Sequence, residues 1–228
     1  MTLRAVLLDW RGTLVTTLTE EDWVREALTR LGRDTGATGA VVAAIEAANG
    51  PGDRLDGPGV DSDADLHRRT YAQVFADAGL DDELAAALYA VESDLSLNSF
   101  ADDVAETLAA LRAHGVRVGV LSDLHVDVRP AFRAAGLSVD TVTLSFEQGC
   151  QKPDARVFRA ALDALGTEPA ETLMVGDRAA KDGAAVDLGM PVLLLPPLRA
   201  VDDRRLHRVL ALVGAGVTGA SDGAVVRN

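Results

Sequence analysis

The feature that most constrains this chain is an alternation of short apolar runs with segments of helical periodicity. Each run is halted at its C-terminal end by a carboxylate, a hydroxyl or a glycine. Leu3 to Leu8 end at Asp9-Trp10-Arg11-Gly12-Thr13, Val116 to Leu121 end at Ser122-Asp123, and Thr172 to Val175 end at Gly176-Asp177. Runs this short and this continuously apolar read as strands buried on both faces. Further strands are predicted at 141–144 and 192–195, with helices over 102–114, near 129–135, over 154–165 and over 179–188. Strands alternating with helices in this way predict an α/β fold with a Rossmann-like parallel sheet.

The alternation is interrupted once, directly after the first strand. From Glu20 to Asn49 the apolar residues fall at helical spacing (Trp23, Ala27, Leu28, Leu31, then Val41, Val42, Ile45, Ala48), which predicts two helices. The stretch Asn49 to Gly59, NGPGDRLDGPG, is the clearest loop, expected at a tip or hinge. Two more helices are predicted over 63–78 and 81–95, the second opening on three acidic residues that favour a helix N-terminus. The division that follows is a core of 1–15 and 99–213, an inserted all-helical cap of 16–98, and a flexible tail of 214–228.

With 35 Asp and Glu against 22 Lys and Arg in 228 residues, the formal charge is −13. Such a chain repels a phosphodiester backbone and an anionic leaflet, so nucleic acid and membrane are excluded as expected partners. One cysteine, Cys150, fits a reducing compartment and reads as a small buried hydrophobe. No apolar run approaches the ~20 residues of a membrane span, and the N-terminus carries no leader pattern, so a cytoplasmic location is expected. The four histidines show no pair at helical ligand spacing and are expected at surface or capping positions; only His125 is close enough to Ser122 to reach a cleft. Trp10 is expected to pack beside that cleft and Trp23 inside the cap.

In an open parallel sheet, chemistry collects beyond the carboxyl ends of the strands. The residues there are Asp9, Arg11, Gly12, Thr13, Ser122, Asp123, Lys152, Asp177 and Asp182. Lys152 is one of two lysines in the chain. A carboxylate can attack phosphorus, a lysine and a divalent ion can neutralise phosphoryl oxygens, and Mg²⁺ prefers a few hard oxygen ligands. Asp9 fits the nucleophile, and Asp9, Asp177 and Asp182 fit the ligands. Ser122 and the amides of Gly12 and Thr13 fit donors to phosphate, and Lys152 fits the group that holds nucleophile and phosphoryl together.

These motifs, in this order, resemble the haloacid dehalogenase superfamily of hydrolases. Its first motif, a strand ending in Asp-x-Asp-x-Thr, is matched by Asp9-Trp10-Arg11-Gly12-Thr13. The second, a strand-end Ser or Thr, is matched by Ser122, the third by Lys152, and the fourth by Gly176-Asp177 with Asp182. The resemblance implies a hydrolase with a helical cap after the first motif, a Mg²⁺ cofactor and a small anionic, phosphorylated substrate. Asp123 and the loop residue Arg54 are expected to bind that substrate.

Arg11 departs from the pattern, because the family's phosphatases place there an aspartate that trades a proton with the leaving oxygen and with water. A guanidinium cannot trade a proton. Arg11 is therefore expected either to bind the anion or to sit at the metal site against Asp177 or Asp182. Asp53, Asp56 and His67 are the candidate replacements in the cap. Related dehalogenases also lack that aspartate but lack the metal-binding fourth motif too. Phosphonoacetaldehyde hydrolases have a similar first motif but need a cap lysine, and this cap has none. Three readings follow: Mg²⁺-dependent phosphoester hydrolysis through Asp9, dehalogenase-type hydrolysis at carbon, and phosphate-ligand binding with impaired catalysis.

Overall fold

The structure, a computed structural model, describes residues 2–218. Its sheet is made of β1 (Ala5–Leu8), β2 (Arg117–Ser122), β3 (Thr141–Leu144), β4 (Thr172–Gly176) and β5 (Val192–Leu194), in the order β3-β2-β1-β4-β5. Every pairing is parallel, with Leu8 in register with both Val120 and Val175. β1 is central, and all four of its residues are buried. The chain leaves it first toward β2 and later returns to its other edge as β4, so the carboxyl ends of β1, β2 and β4 form the switch point of the winding.

Alternate residues of β1 feed two cores. Val6 and Leu8 pack with Val118, Val120, Leu173 and Val175 against α5 (Val104–Ala113) and α9 (His207–Thr218). Ala5 and Leu7 pack with Leu121 and Met174 against α8 (Ala155–Leu165). Gly119 lets the layers close, since a Cβ there would strike the Leu7 side chain and Thr141. α6 (Arg129–Ala134) and α7 (Ser145–Gln148) complete the core.

Between β1 and α5 lie α1 (Glu20–Arg30), α2 (Thr38–Asn49), α3 (Ala64–Asp77) and α4 (Asp82–Glu92). Side chains of Thr19, Asp63 and Asp81 accept from the first-turn amides of α1, α3 and α4, which is why these helices begin where they do. The block buries its own apolar cluster around Val24, Leu28, Val74, Phe75, Leu88 and Val91. Trp23 packs against it and donates to the carbonyl of Leu88 at 2.8 Å.

Three expectations change. The segment 179–188 opens as a turn and becomes a 3-10 helix only at Asp182–Leu188, because the Asp182 carboxylate turns back to accept from the Arg178 amide. The expected tail, 214–228, is helical where it begins. Residues 214–218 belong to α9, whose Val209 and Val213 cover the sheet, while the rest of the expected tail, 219–228, lies outside the described residues. Of the tip or hinge expected for the loop 49–59, the tip is excluded: the loop carries a 3-10 turn, Arg54–Asp56, and forms a seam with the core. Among the described residues no helix is long and apolar enough to cross a membrane.

Candidate active site

Asp9 ends β1, Ser122 ends β2, Lys152 follows β3 and Asp177 follows β4, so the parallel register itself brings them to one rim. Lys152 is buried and occupies the centre. Its ammonium donates to Asp9 Oδ1 at 2.8 Å and Asp182 Oδ1 at 2.6 Å, and its amide donates to Asp123 Oδ1 at 2.9 Å. Burial opposes its charge, but Asp9 and Asp182 outweigh that and raise the pKa of the ammonium above its usual value. For Asp9 burial wins over Lys152, and the carboxyl is pushed up to about 6.

One carboxylate oxygen each from Asp9, Asp177 and Asp182 lies within 4.8 Å of the others. Asp177 Oδ1 is buried and has no hydrogen-bond partner, and burial followed by Asp182 raises the Asp177 pKa. A crowded carboxylate set with an orphaned buried oxygen is what a hard divalent cation relieves. The residues present therefore fit Mg²⁺. Asp182 is the most committed of the three, with Oδ1 on Lys152 and Oδ2 accepting from the Arg178 amide at 2.9 Å.

Two glycines allow this crowding. Gly12, at φ +75°, leaves no room for a side chain, since a Cβ there would overlap the Asp177 carboxylate, and a Cβ on Gly176 would overlap Asp182. Above the rim opens a cavity of about 500 Å³, lined by Asp9, Arg11, Ser122, Asp123, Lys152 and Asp177 from the core. Asp53, Asp56, Asp61, Tyr71 and Glu92 line it from the helical block.

Five expected positions are corrected. Arg11 does not meet Asp177 or Asp182. Its guanidinium is paired with the Glu92 carboxylate, donates to the Glu92 carbonyl at 2.6 Å and reaches Asn98 Oδ1 at 3.4 Å. Burial opposes the charge, yet Glu92 raises the Arg11 pKa further. The amides of Gly12 and Thr13 donate inside their own turn, to Val15 and Trp10 carbonyls, so they are not turned to a phosphate. Arg54 is held by the Ala48 carbonyl and Asp77 at 2.9 and 2.8 Å, outside the cavity lining. His67 is buried rather than superficial: its ring stacks on Tyr71 and on His125, with the His125 centroid 3.6 Å away.

Other expectations are met. Ser122 and His125 line the cavity, Cys150 is buried, and Trp10 is fully buried between Phe100 and Phe132. Asp56, expected as a candidate for the missing acid, is instead bonded to Arg178 and, at 3.1 Å, to Lys181, two residues with no signal in the sequence, and so ties the loop 49–59 to the turn after β4. Burial works against its ionisation, but Arg178 and Lys181 keep its carboxyl below the usual range. Arg205, distant in sequence, is buried and donates to the carbonyls of Gly12 and Thr13 at 3.1 and 2.7 Å, fixing the turn that follows β1.

Asp61, His67 and His125 also bring one polar atom each within 4.8 Å. The two imidazoles lie nearly parallel, 16° apart, so their in-plane lone pairs run side by side instead of converging. His67 Nδ1 already meets the Tyr89 hydroxyl at 3.1 Å, and His125 Nε2 meets Ser93 Oγ at 2.9 Å. The cluster is a polar network, and its geometry does not suit a cation.

Residues 3–187 match the family of haloacid dehalogenase-like hydrolases. The chain belongs to that family. Like other haloacid dehalogenase-like hydrolases, it shares sequence with phosphatases: a phosphoserine phosphatase of Thermus thermophilus is 41% identical over 78 residues, covering 33% of this chain and 31% of that protein. The chain spans less than half the length of the curated relatives it matches. Among solved folds, a HAD phosphatase from Thermococcus onnurineus superposes with a TM-score of 0.61 at 23% identity, covering 93% of this chain and 98% of that one. The L-2-haloacid dehalogenase of Xanthobacter autotrophicus gives 0.63 at 23% identity, covering 92% and 83%. Both phosphatase and dehalogenase chemistry are thus hosted on this fold, and the fold does not choose between them.

Proposed function

We propose that this chain is a Mg²⁺-dependent hydrolase of small phosphate esters, working through an aspartyl-phosphate on Asp9, with the helical block acting as its cap. The observation that carries the reading is the arrangement of Asp9, Asp177 and Asp182 around buried Lys152, floored by two glycines and opening into one cavity. The phosphatase relatives support the same substrate class.

Asp9 Oδ1 is fixed by Lys152, which leaves its other oxygen for attack on phosphorus. Ser122 and Lys152 line the cavity and would donate to phosphoryl oxygens bound there. Asp182 positions Lys152 more than it reaches for substrate. A divalent ion held by Asp9 and Asp177, with Asp182 beside them, would neutralise phosphoryl charge there. Arg11, already satisfied by Glu92, anchors the cap to the turn after β1 and takes no part in proton transfer.

A second reading, hydrolysis at carbon, would use Asp9 without a metal and draws on the likeness to dehalogenase folds. The orphaned Asp177 oxygen favours the first. Incubation with a panel of small phosphate monoesters and 2-haloacids, with Mg²⁺ and with chelator, separates them. Phosphate release that needs Mg²⁺ and vanishes in Asp9→Asn supports the proposal; halide release indifferent to chelator overturns it.

A further inference from the structure

With Arg11 bound to Glu92, the reaction lacks the acid that its family places two residues after the nucleophile. We propose that Asp61, carried by the helical block, is the proton-transfer residue of this site; this rests on the phosphohydrolase reading above.

Asp61 lines the same cavity as Asp9, Arg11 and Ser122, so it borders the space that an acid in the first motif would serve. Its main chain is fastened to the core although the residue belongs to the cap side. The Asp61 amide donates to Gln151 Oε1 at 2.9 Å, and its carbonyl accepts from Ser145 Oγ at 2.6 Å. Both partners are buried, and Gln151 is the neighbour of Lys152 in the chain. The carboxyl is therefore held relative to the nucleophile's own scaffold, as a proton-transfer group must be.

The other carboxylates that meet this cavity from the helical block are placed otherwise: Glu92 is bound to Arg11, Asp56 to Arg178 and Lys181, and Asp53 to the Asn49 amide, while Glu20, at the exposed start of α1, shares a hydrogen bond with Glu46. Among the described residues the Asp61 carboxylate has one ion-pair contact, His67, whose Nε2 lies 3.7 Å from Asp61 Oδ1. The groups around it are His67 from α3, Asp123 and His125 after β2, Lys181 after β4, Asp56 from the loop 49–59, Glu92 from α4 and Arg11. Burial, then Asp123, pushes the carboxyl up to about 7 against the pull of Lys181. Both protonation states are then populated at neutral pH, which suits a group that must give and retake one proton.

The step balances. Asp9 attacks phosphorus, the ester P–O bond breaks, and the departing oxygen takes the Asp61 proton to leave as an alcohol. Asp61 carboxylate then takes a proton from water as that water attacks the phosphorus of the aspartyl-phosphate. Inorganic phosphate leaves, and Asp9 and protonated Asp61 are restored.

The test is Asp61→Asn, which keeps the shape and both main-chain bonds, assayed with Mg²⁺ on p-nitrophenyl phosphate and on an unactivated alkyl phosphate. Nitrophenolate leaves without a proton, so the variant should release one enzyme equivalent in a burst and then turn over slowly. On the alkyl ester it should show no burst and a rate lower by about 10²–10⁴-fold. Adding Arg11→Asp with Glu92→Gln returns an acid to the first motif and should restore turnover. Native rates on both esters, or an equal loss on both with no burst and no restoration, would overturn the role of Asp61 while leaving the phosphohydrolase standing. Failure of the natural protein to release phosphate from either ester would instead overturn the reading beneath it.

Discussion

Lys152 carries the site. Two buried carboxylates, Asp9 and Asp182, depend on one ammonium, and among the described residues neither has another cation within bonding distance. Breaking a buried pair by removing one partner costs roughly 3–5 kcal/mol, because the remaining charge is left uncompensated. Lys152→Met is therefore expected to lower unfolding free energy by about that much in urea titrations and to abolish turnover. Lys152→Arg should not rescue it, since the planar fork cannot replace a point donor set between two carboxylates. Gly12 is constrained differently: its φ of +75° and the Asp177 carboxylate over it leave no space for a methyl group. Gly12→Ala is expected to displace Asp177 and so to weaken Mg²⁺ binding more than it weakens the fold, a contrast readable by comparing Mg²⁺-induced thermal stabilisation with the Tm of the metal-free chain.

At the scale of elements, the seam between the helical block and the core holds groups that answer to pH in opposite senses. Burial, with His125 and Arg11 adding to it, drives the His67 pKa down to about 3, and burial drives His125 to about 4. Each binds fewer protons folded than unfolded between its depressed value and 6.5, so acidification through that window removes stability. Asp61, pushed up to about 7, binds more protons folded than unfolded and works the other way. The native curve is a mixture, and the informative quantity is a difference. In His67→Gln the loss on acidification from pH 6.5 to 4.5 should be smaller than in the natural protein, by up to about 1.4 kcal/mol per pH unit. Parallel curves for the two proteins by urea denaturation would show that His67 is not held neutral. The Arg11–Glu92 pair belongs to this seam as well: it joins the turn after β1 to the end of α4, and its two side chains are 23% and 19% exposed. A double-mutant cycle on Arg11→Ala and Glu92→Ala is expected to give a coupling of about 1–2 kcal/mol, above that of an exposed pair.

At the scale of the whole molecule, the sequence showed what periodicity and strand ends encode. The parallel sheet, the helices between β1 and α5, and the meeting of Asp9, Ser122, Lys152, Asp177 and Asp182 were all legible, because a strand's last residue and the sheet's winding decide where these side chains go. What was hidden depends on contacts between distant segments. Arg11 could not be seen to face Glu92, which lies 81 residues away, and Arg205 reaches Gly12 across 193 residues. The burial of His67 was hidden because, besides Tyr71 one turn on in α3, its partners His125 and Tyr89 come from other elements. Arg54 failed for a local reason: the loop places its guanidinium on Asp77 and the Ala48 carbonyl, so it is absent from the cavity lining although its neighbours Asp53, Leu55 and Asp56 belong to it.

The central claim is that Asp9 attacks phosphorus. It is tested most directly by quenching the protein in acid during turnover of p-nitrophenyl phosphate with Mg²⁺ and weighing the peptide that contains Asp9. A fraction of that peptide is expected to carry one added phosphoryl group on Asp9, absent with chelator and absent in Asp9→Asn. A phosphoryl group on another residue, or an Asp9 peptide left unmodified while phosphate is released, would contradict it.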